Sequence, residues 1–267
     1  MSETEAIAEG GVAPGRDADA PLAQPSIQLL GLDFDARSPT EVLRLIAARP
    51  AGAPFAYVTS LNADHLVRLS RKPGFRPYYD DAWLRLLDSQ VVARLAYLLG
   101  LPVPPVVNVS DLIAGLVRHA LLADKTVNIL GLTKKEAQAL SRRTALRFAH
   151  YNPPTRFESD AASLERALRF VEDNPAHLVF LAVGSPRQEM LARALATRRV
   201  AVGTGLCVGP ALHFLAGIEK RAPVMLQKAG LEWAWRLAQN PQRLWRRYLV
   251  DNLAIFALLW REARARR

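Results

Sequence analysis

Two places in the chain put chemically useful side chains where a strand-like run gives way to a helix-like one. Asp88 closes the run Trp83–Leu87, and a carboxylate at the end of a strand is placed to act as general base on a sugar or alcohol hydroxyl. An Asp or Ser in front of a helix also satisfies its unpaired N–H groups, and on residue type alone the cap is the simpler reading of both Asp88 and Asp111. Gln188 stands three residues after Ser185, the Ser-x-x-Gln form of a capping box. The same amide could reach a substrate hydroxyl or phosphate at that turn, and the two readings are compatible. Asn62, followed by Asp64 and His65, opens a helical pattern and either lines a cleft or caps the helix. His213 sits among apolar neighbours, as a core histidine would.

Around Gln188 the apolar runs His177–Val183 and Arg199–Gly203 each stop at a glycine-bearing turn and feed a helical pattern. Helix N-termini at such turns leave N–H groups that can hold phosphate. Ligands of open parallel sheets sit beyond the carboxyl ends of the strands. The turns at Gly131, Gly184 and Gly205 are therefore expected to hold a phosphorylated ligand. Glycines 203, 205 and 209 are spaced G-x-G-x-x-x-G, which is not the dinucleotide G-x-G-x-x-G, so NAD is not implied.

The elements that must position these residues alternate. Ile27–Phe34 reads as a hairpin arm, and Ser38-Pro39-Thr40-Glu41 as a helix start with a capping box and Pro at the first position. Phe55–Thr59, Trp83–Leu87, Thr126–Leu130 and Arg147–Tyr151 read as strands. Helices follow Asn62, run up to Leu99, start at Ser110-Asp111 (with Leu112, Leu116 and Ala120 at helical spacing), follow the second box Thr133–Glu136, and cover Leu164–Val171. Alternating strands and helices predict an α/β fold: a Rossmann-like, mostly parallel sheet flanked by helices.

Residues 1–24, rich in Ala, Gly, Pro and acid, read as a disordered tail and not as a signal peptide, which implies a cytoplasmic protein. Residues 25–217 form the α/β core, and residues 218–267 read as a basic helical appendage broken at Asn240-Pro241. The whole chain carries a formal net charge of +10, and residues 217–267 hold eleven Lys/Arg against four acids, with four of the five tryptophans. That mixture suits an anionic membrane surface or a lipid-linked substrate better than a nucleic acid. The uncharged run Asn252–Trp260 is too short to span a bilayer. One cysteine, Cys207, excludes internal disulfides, and five scattered histidines show no ligand spacing, so no metal is expected.

Between Ile27 and Asn252 the chain resembles the WecB/TagA/CpsF (WecG/TagA) family of bacterial glycosyltransferases. The resemblance rests on Ser60-Leu61-Asn62-Ala63-Asp64-His65, Leu87-Asp88, Val109-Ser110-Asp111-Leu112, Val183–Glu189, Phe214–Gly217, Lys220-Arg221-Ala222-Pro223 and Gly230–Leu249. It implies an inverting, metal-independent and cofactor-free transfer from a UDP-sugar to a polyprenyl-diphosphate-linked sugar, in cell-surface polysaccharide synthesis at the inner face of the plasma membrane. By the same resemblance Asp88 is the base, Asn62 and Gln188 are active-site amides, and Ser60 or the adjacent Thr59 supplies a hydroxyl. Arg236, Arg243 and Arg246 or Arg247 reach the diphosphate. The chain departs from the family pattern at Ser89, Val106, Asn108-Val109 and His213. The alternative is a non-catalytic basic α/β protein that binds nucleotide or nucleic acid, which requires Asp88 to be only a cap. Homo-oligomerisation is left open.

Overall fold

The computed structural model describes residues 25–118, 125–144, 146–223, 225–226, 231–239, 241–246 and 253–267. The tail assigned to residues 1–24 lies outside them, as do Ala120 and Arg247. The first described element is a hairpin of β1 (Ser26–Leu29) and β2 (Leu32–Asp35), paired antiparallel about Leu30-Gly31. Ser38 then caps α1 (Pro39–Ala48): its N–H donates to Glu41 Oε2 at 2.8 Å while Glu41 N–H returns to Ser38 Oγ, so the box read from the sequence is present. Thr133 and Glu136 build the same box at the start of α6 (Lys134–Arg143).

The remaining strands are β3 (Ala56–Leu61), β4 (Leu84–Leu87), β5 (Val127–Gly131), β6 (Phe148–Tyr151), β7 (Leu178–Ala182) and β8 (Thr204–Cys207). They form one sheet, all parallel, in the order β4-β3-β8-β7-β5-β6. The other helices are α2 (Ala63–Arg71), α3 (Pro77–Asp80), α4 (Gln90–Leu98), α5 (Val109–Arg118), α7 (Ala161–Glu172), α8 (Arg187–Arg198) and α9 (Ala211–Leu215). Strand side chains alternate between two cores. Leu178, Phe180 and Leu206 face Ile46, Ile113 and Leu212, whereas Val179, Leu181 and Cys207 face Leu168, Leu191 and Leu195. A sheet covered on both faces needs apolar residues at every position, which is why its strands read as short continuous apolar runs.

One strand differs from the sequence expectation. The run Arg199–Gly203 is not the last strand; the strand is Thr204–Cys207, and only Val202 within that run makes an isolated bridge, to Pro54. Gly205, read as a turn glycine in front of a helix, lies in mid-strand. A Cβ on it would come within 2.5 Å of the Phe55 ring, so its lack of a side chain serves close packing and not a phosphate turn.

Beyond Pro223 the described elements are helical: α10 (Glu232–Gln239), α11 (Pro241–Arg246) and α12 (Ala254–Ala265). Asn240, on which the break read at Asn240-Pro241 falls, lies outside the described residues. The last helix buries Ile255, Leu259 and Ala263 in a third core, shared with Leu29 and Phe34 of the hairpin, Leu66 of α2 and Val92 of α4. Leu30 N–H donates to Glu262 Oε2 at 2.6 Å, and Arg266 Nη2 donates to Gln28 O at 3.1 Å. The end of the basic segment thus belongs to the interior. Among the described residues no helix is long and apolar enough to cross a membrane.

Because Leu259 is fully buried, Leu259→Ala is expected to lower stability by about 2–5 kcal/mol. Urea unfolding of the variant checks this; an unchanged midpoint would mean that the last helix does not contribute to the core.

Candidate active site

The sheet carries its polar residues at one edge. β3 leads outward to β4 on one side and β5 leads outward to β6 on the other, while β7 and β8 fill the centre. The crevice at such a divergence is where open α/β sheets bind ligands. Leu61 pairs with Leu87, Val58 with Leu206, Leu181 with Cys207 and Gly131 with Ala182. Asp88, Asn62, Pro210, Gly184 and Thr133 follow the carboxyl ends of five neighbouring strands, β4, β3, β8, β7 and β5, and make up the edge row. With neighbouring strands ~4.8 Å apart, the ends of β4 and β7 are three steps, about 14 Å, apart across the sheet. A ligand lying along this row is longer than a single sugar.

At the β4 end, Asp88 is half-buried. Its N–H still donates to Leu61 O at 2.9 Å, so its backbone belongs to the strand pairing and sits one residue too early to cap the helix. Ser89 caps α4 instead, accepting Val92 N–H at 3.3 Å. The cap reading of Asp88 is therefore corrected. The cap reading of Ser110-Asp111 is corrected as well. α5 starts one residue earlier, and Asn108 Oδ1 accepts the N–H groups of Ser110 at 3.0 Å and Asp111 at 3.2 Å. Asn108 Nδ2 donates to Asp88 Oδ1 at 2.9 Å.

At the β3 end, Asn62 is the helix cap that one of its two sequence readings gives. Its Oδ1 caps α2 through the N–H groups of Asp64 and His65. Oδ1 also lies 2.8 Å from His65 Nδ1, and no hydrogen bond is made by Nδ2 among the described residues. Ser60 is half-buried one residue before the strand end. Thr59 is fully buried and its Oγ1 donates to Leu84 O at 3.4 Å, so it lies inside the sheet and out of reach of a ligand at the edge.

On the β7 and β8 side the sequence reading needs a further correction. There is no Ser185–Gln188 capping box: α8 is preceded by Pro186 with no side-chain cap. Ser185 Oγ turns instead to Glu189 Oε2 at 2.8 Å, because Glu189 is fully buried and its carboxylate oxygens need donors. Gln188 Nε2 donates to Glu189 Oε1 at 2.9 Å, and Gln188 Oε1 accepts Gly209 N–H at 3.1 Å. Gln188 is itself buried and braces α8 against the turn after β8. From α2, Arg68 Nη2 donates to Ser185 Oγ at 2.6 Å and to Tyr79 Oη at 3.2 Å, and His65 Nε2 lies 3.9 Å from Glu189 Oε1. Burial pushes the Glu189 carboxyl up from its ordinary range, against the donors Gln188 and Ser185. Burial likewise pushes up the Tyr79 phenol and the Cys207 thiol, so Cys207 is not a nucleophile.

Gly131 ends β5 and Gly184 follows β7, each before a helix, whereas Gly205 does not reach the edge. His213 is not a core residue: it is half-buried, with Nε2 3.6 Å from Glu136 Oε1 and Nδ1 3.7 Å from Glu219 Oε1. Arg236 lies on α10 and Arg243 on α11. The first of these helices reaches the site through one loop, since Trp235 Nε1 and Gln239 Nε2 both donate to Lys220 O at 3.3 Å. The next residue, Arg221, donates to Asn108 Oδ1 at 3.1 Å and to both oxygens of Asp111. Among the described residues no three of His, Cys, Asp and Glu are grouped to hold a metal ion. Arg68, Asn108, Glu189 and Arg221 escaped the sequence reading as site residues. The contacts that bring them together, Asn108 with Asp88, Arg68 with Ser185 and Arg221 with Asn108, span 20, 117 and 113 residues, and no spacing signals such pairs.

A parallel sheet with a carboxylate and amides at one end of its open edge and helix starts at the other is the framework of an α/β enzyme. The chain belongs to the glycosyl transferase WecG/TagA/CpsF family, whose model matches residues 27–267, and it is a glycosyltransferase. Among its relatives, the N-acetylglucosaminyldiphosphoundecaprenol N-acetyl-beta-D-mannosaminyltransferase of Bacillus spizizenii is 28% identical over 210 residues. That match covers 78% of this chain and 80% of the relative.

The raised Glu189 carboxyl has a testable sign. A folded value above the unfolded 4.5 means the native state holds a proton that the unfolded chain releases. Stability is then full below pH 4.5 and falls as pH rises towards the folded value, by at most about 1.4 kcal/mol per pH unit. Glu189→Gln keeps the size and removes the titration, so its stability relative to wild type should improve as pH rises from 4.5. Denaturant melts at pH 4, 6 and 8 check this; parallel curves would contradict it.

Proposed function

We propose that this glycosyltransferase moves a sugar from a UDP-sugar to a polyprenyl-diphosphate-linked sugar, with inversion and without a metal ion. The observation that carries this reading is the edge row itself, with one carboxylate, Asp88, beside Asn62 at one end and the turns at Gly184 and Thr133 at the other. Asp88 takes the proton of the acceptor hydroxyl as its oxygen attacks the anomeric carbon, and the bond from that carbon to the diphosphate oxygen breaks as UDP leaves. A single displacement at one carboxylate inverts the anomeric centre. Asn62 Nδ2 donates to a substrate hydroxyl, with Ser60 beside it. The N–H groups at the starts of α6 and α8 and the arginines 236, 243 and 247 balance the charge on the departing UDP.

The relative from Bacillus spizizenii supports the acceptor class, since its name specifies an N-acetylglucosaminyl-diphospho-undecaprenol substrate. The departures Ser89 and Asn108 lie beside Asp88, Val106 bridges Leu87, and His213 sits between two glutamates, so the sugar-facing side of the row is where this chain's donor choice is set. Trp245, Phe256 and Trp260 are about half exposed on the basic C-terminal segment. Indole and arginine on one surface favour the water–lipid boundary, consistent with the inner face of the membrane as the place of work.

The test is UDP release from a panel of UDP-sugars with a short-chain prenyl-diphosphate sugar as acceptor. Turnover with no UDP-sugar would end this reading. Asp88→Asn is expected to cut turnover by ~10²–10⁴ with an unchanged melting temperature. Turnover should also persist in EDTA, and a loss restored by Mn²⁺ or Mg²⁺ would replace the metal-independent mechanism with a metal-assisted one.

A further inference from the structure

We propose that Asn108 is the positioning residue for Asp88, and that Arg221 locks Asn108 in the orientation this requires. The inference rests on the reading of Asp88 as the base. Asn108 Oδ1 accepts three N–H groups, from Ser110, Asp111 and Arg221 Nη2. An amide nitrogen in that place would face three donors with none of the lone pairs they need, so the assignment of oxygen and nitrogen is fixed by the network. Nδ2 is therefore the end that meets Asp88, and it donates to Oδ1 at 2.9 Å. The backbone is pinned too. Val107 N–H donates to Leu87 O at 2.9 Å and Val106 bridges Leu87, which holds this segment against the last residue of β4. Arg221 is held from its other side by both carboxylate oxygens of Asp111.

Two consequences follow for a base. The carboxylate is held in one rotamer, with one oxygen committed to Asn108, and its ionised form is stabilised by a donated hydrogen bond. Among the described residues, the neighbouring elements bring charged or titratable groups at Asp64 and His65, at the start of α2, and at Asp111 and Arg221, which connect to Asp88 through Asn108. Substitution of Asn108 leaves all of these in place.

Two variants separate positioning from folding. Asn108→Ser keeps a good helix cap but is too short to reach Asp88. Asn108→Asp keeps the cap and the Arg221 pairing, yet turns the donor into a second carboxylate. Both are expected to lower kcat by ~10–100-fold with donor KM unchanged. The acid limb of the kcat/KM profile should move up by about one pH unit, more in Asn108→Asp than in Asn108→Ser, because Asp88 loses the donor to its ionised form and in the former gains a like charge. Arg221→Lys should shift the limb the same way by less. On an Asp88→Asn background, Asn108→Ser should add little, since it acts through the group already removed.

The outcomes divide cleanly. If Asp88→Asn retains turnover, the base assignment fails and the positioning role falls with it. If Asp88→Asn is inactive while Asn108→Ser and Asn108→Asp keep the wild-type kcat and acid limb, only the positioning role is overturned. A fall in activity with an unmoved acid limb, or with losses that add in the double variant, assigns Asn108 to cap strength alone and also overturns it.

Discussion

Burial shuts Glu189 off from bulk solvent. Its carboxyl is fully buried among the turns that frame the crevice, and an unpartnered polar group there would cost several kcal/mol. The fold answers by sending each neighbouring element to it: Ser185 and Gln188 from the start of α8 directly, Arg68 of α2 through Ser185, and Gly209 of the turn after β8 through Gln188. Three connections that the sheet alone would leave independent are thereby fixed relative to one another. The position of the edge row depends on this one satisfied carboxyl as much as on the strands.

A second network, at the other end of the row, works on a different principle. There the acid is only half-buried, and its neighbours shape it through one side-chain amide, not a cluster of donors. Asn108 does two jobs with opposite ends, ending the loop before α5 with its oxygen and meeting Asp88 with its nitrogen. Arg221 couples both to the segment that leads into the C-terminal helices. The chain thus connects the carboxyl edge of β4 with residues more than a hundred positions later.

Much of the framework was legible because it is written locally. The boxes at Ser38 and Thr133 each rest on residues within three positions of one another, and the α/β alternation on short apolar runs bounded by turn residues. The misreadings have equally local causes. Asp88 and Ser89 are both good caps, and only the pairing of Asp88 with Leu61 shows which of them is still strand. Gly203-Thr204-Gly205 has the composition of a turn, but the demand behind Gly205 is the ring of Phe55, 150 residues earlier. Ser185 satisfies the letter of a capping box while being drawn off by a buried carboxyl beyond it. What the sequence alone could not show is the set of contacts at long separation, and the inner ring of the site consists mostly of these. The family blocks pointed to the right stretches without saying which residues face one another.

The bond between Leu30 N–H and Glu262 joins positions 232 residues apart, and it gives the chain a temporal order as well as a spatial one. At ribosomal speeds of ~5–20 residues per second, the hairpin leaves the exit tunnel roughly ten seconds or more before the helix that covers it has been made. During that interval Leu29 and Phe34 lack the Ile255 and Leu259 side chains that complete their core. The parallel sheet can assemble from what has already emerged, but this third core closes only once α12 has been made. Nascent chains of this protein therefore carry an unsealed apolar seam until α12 has been made and released, and a ribosome that stalls before Ile255 leaves it open.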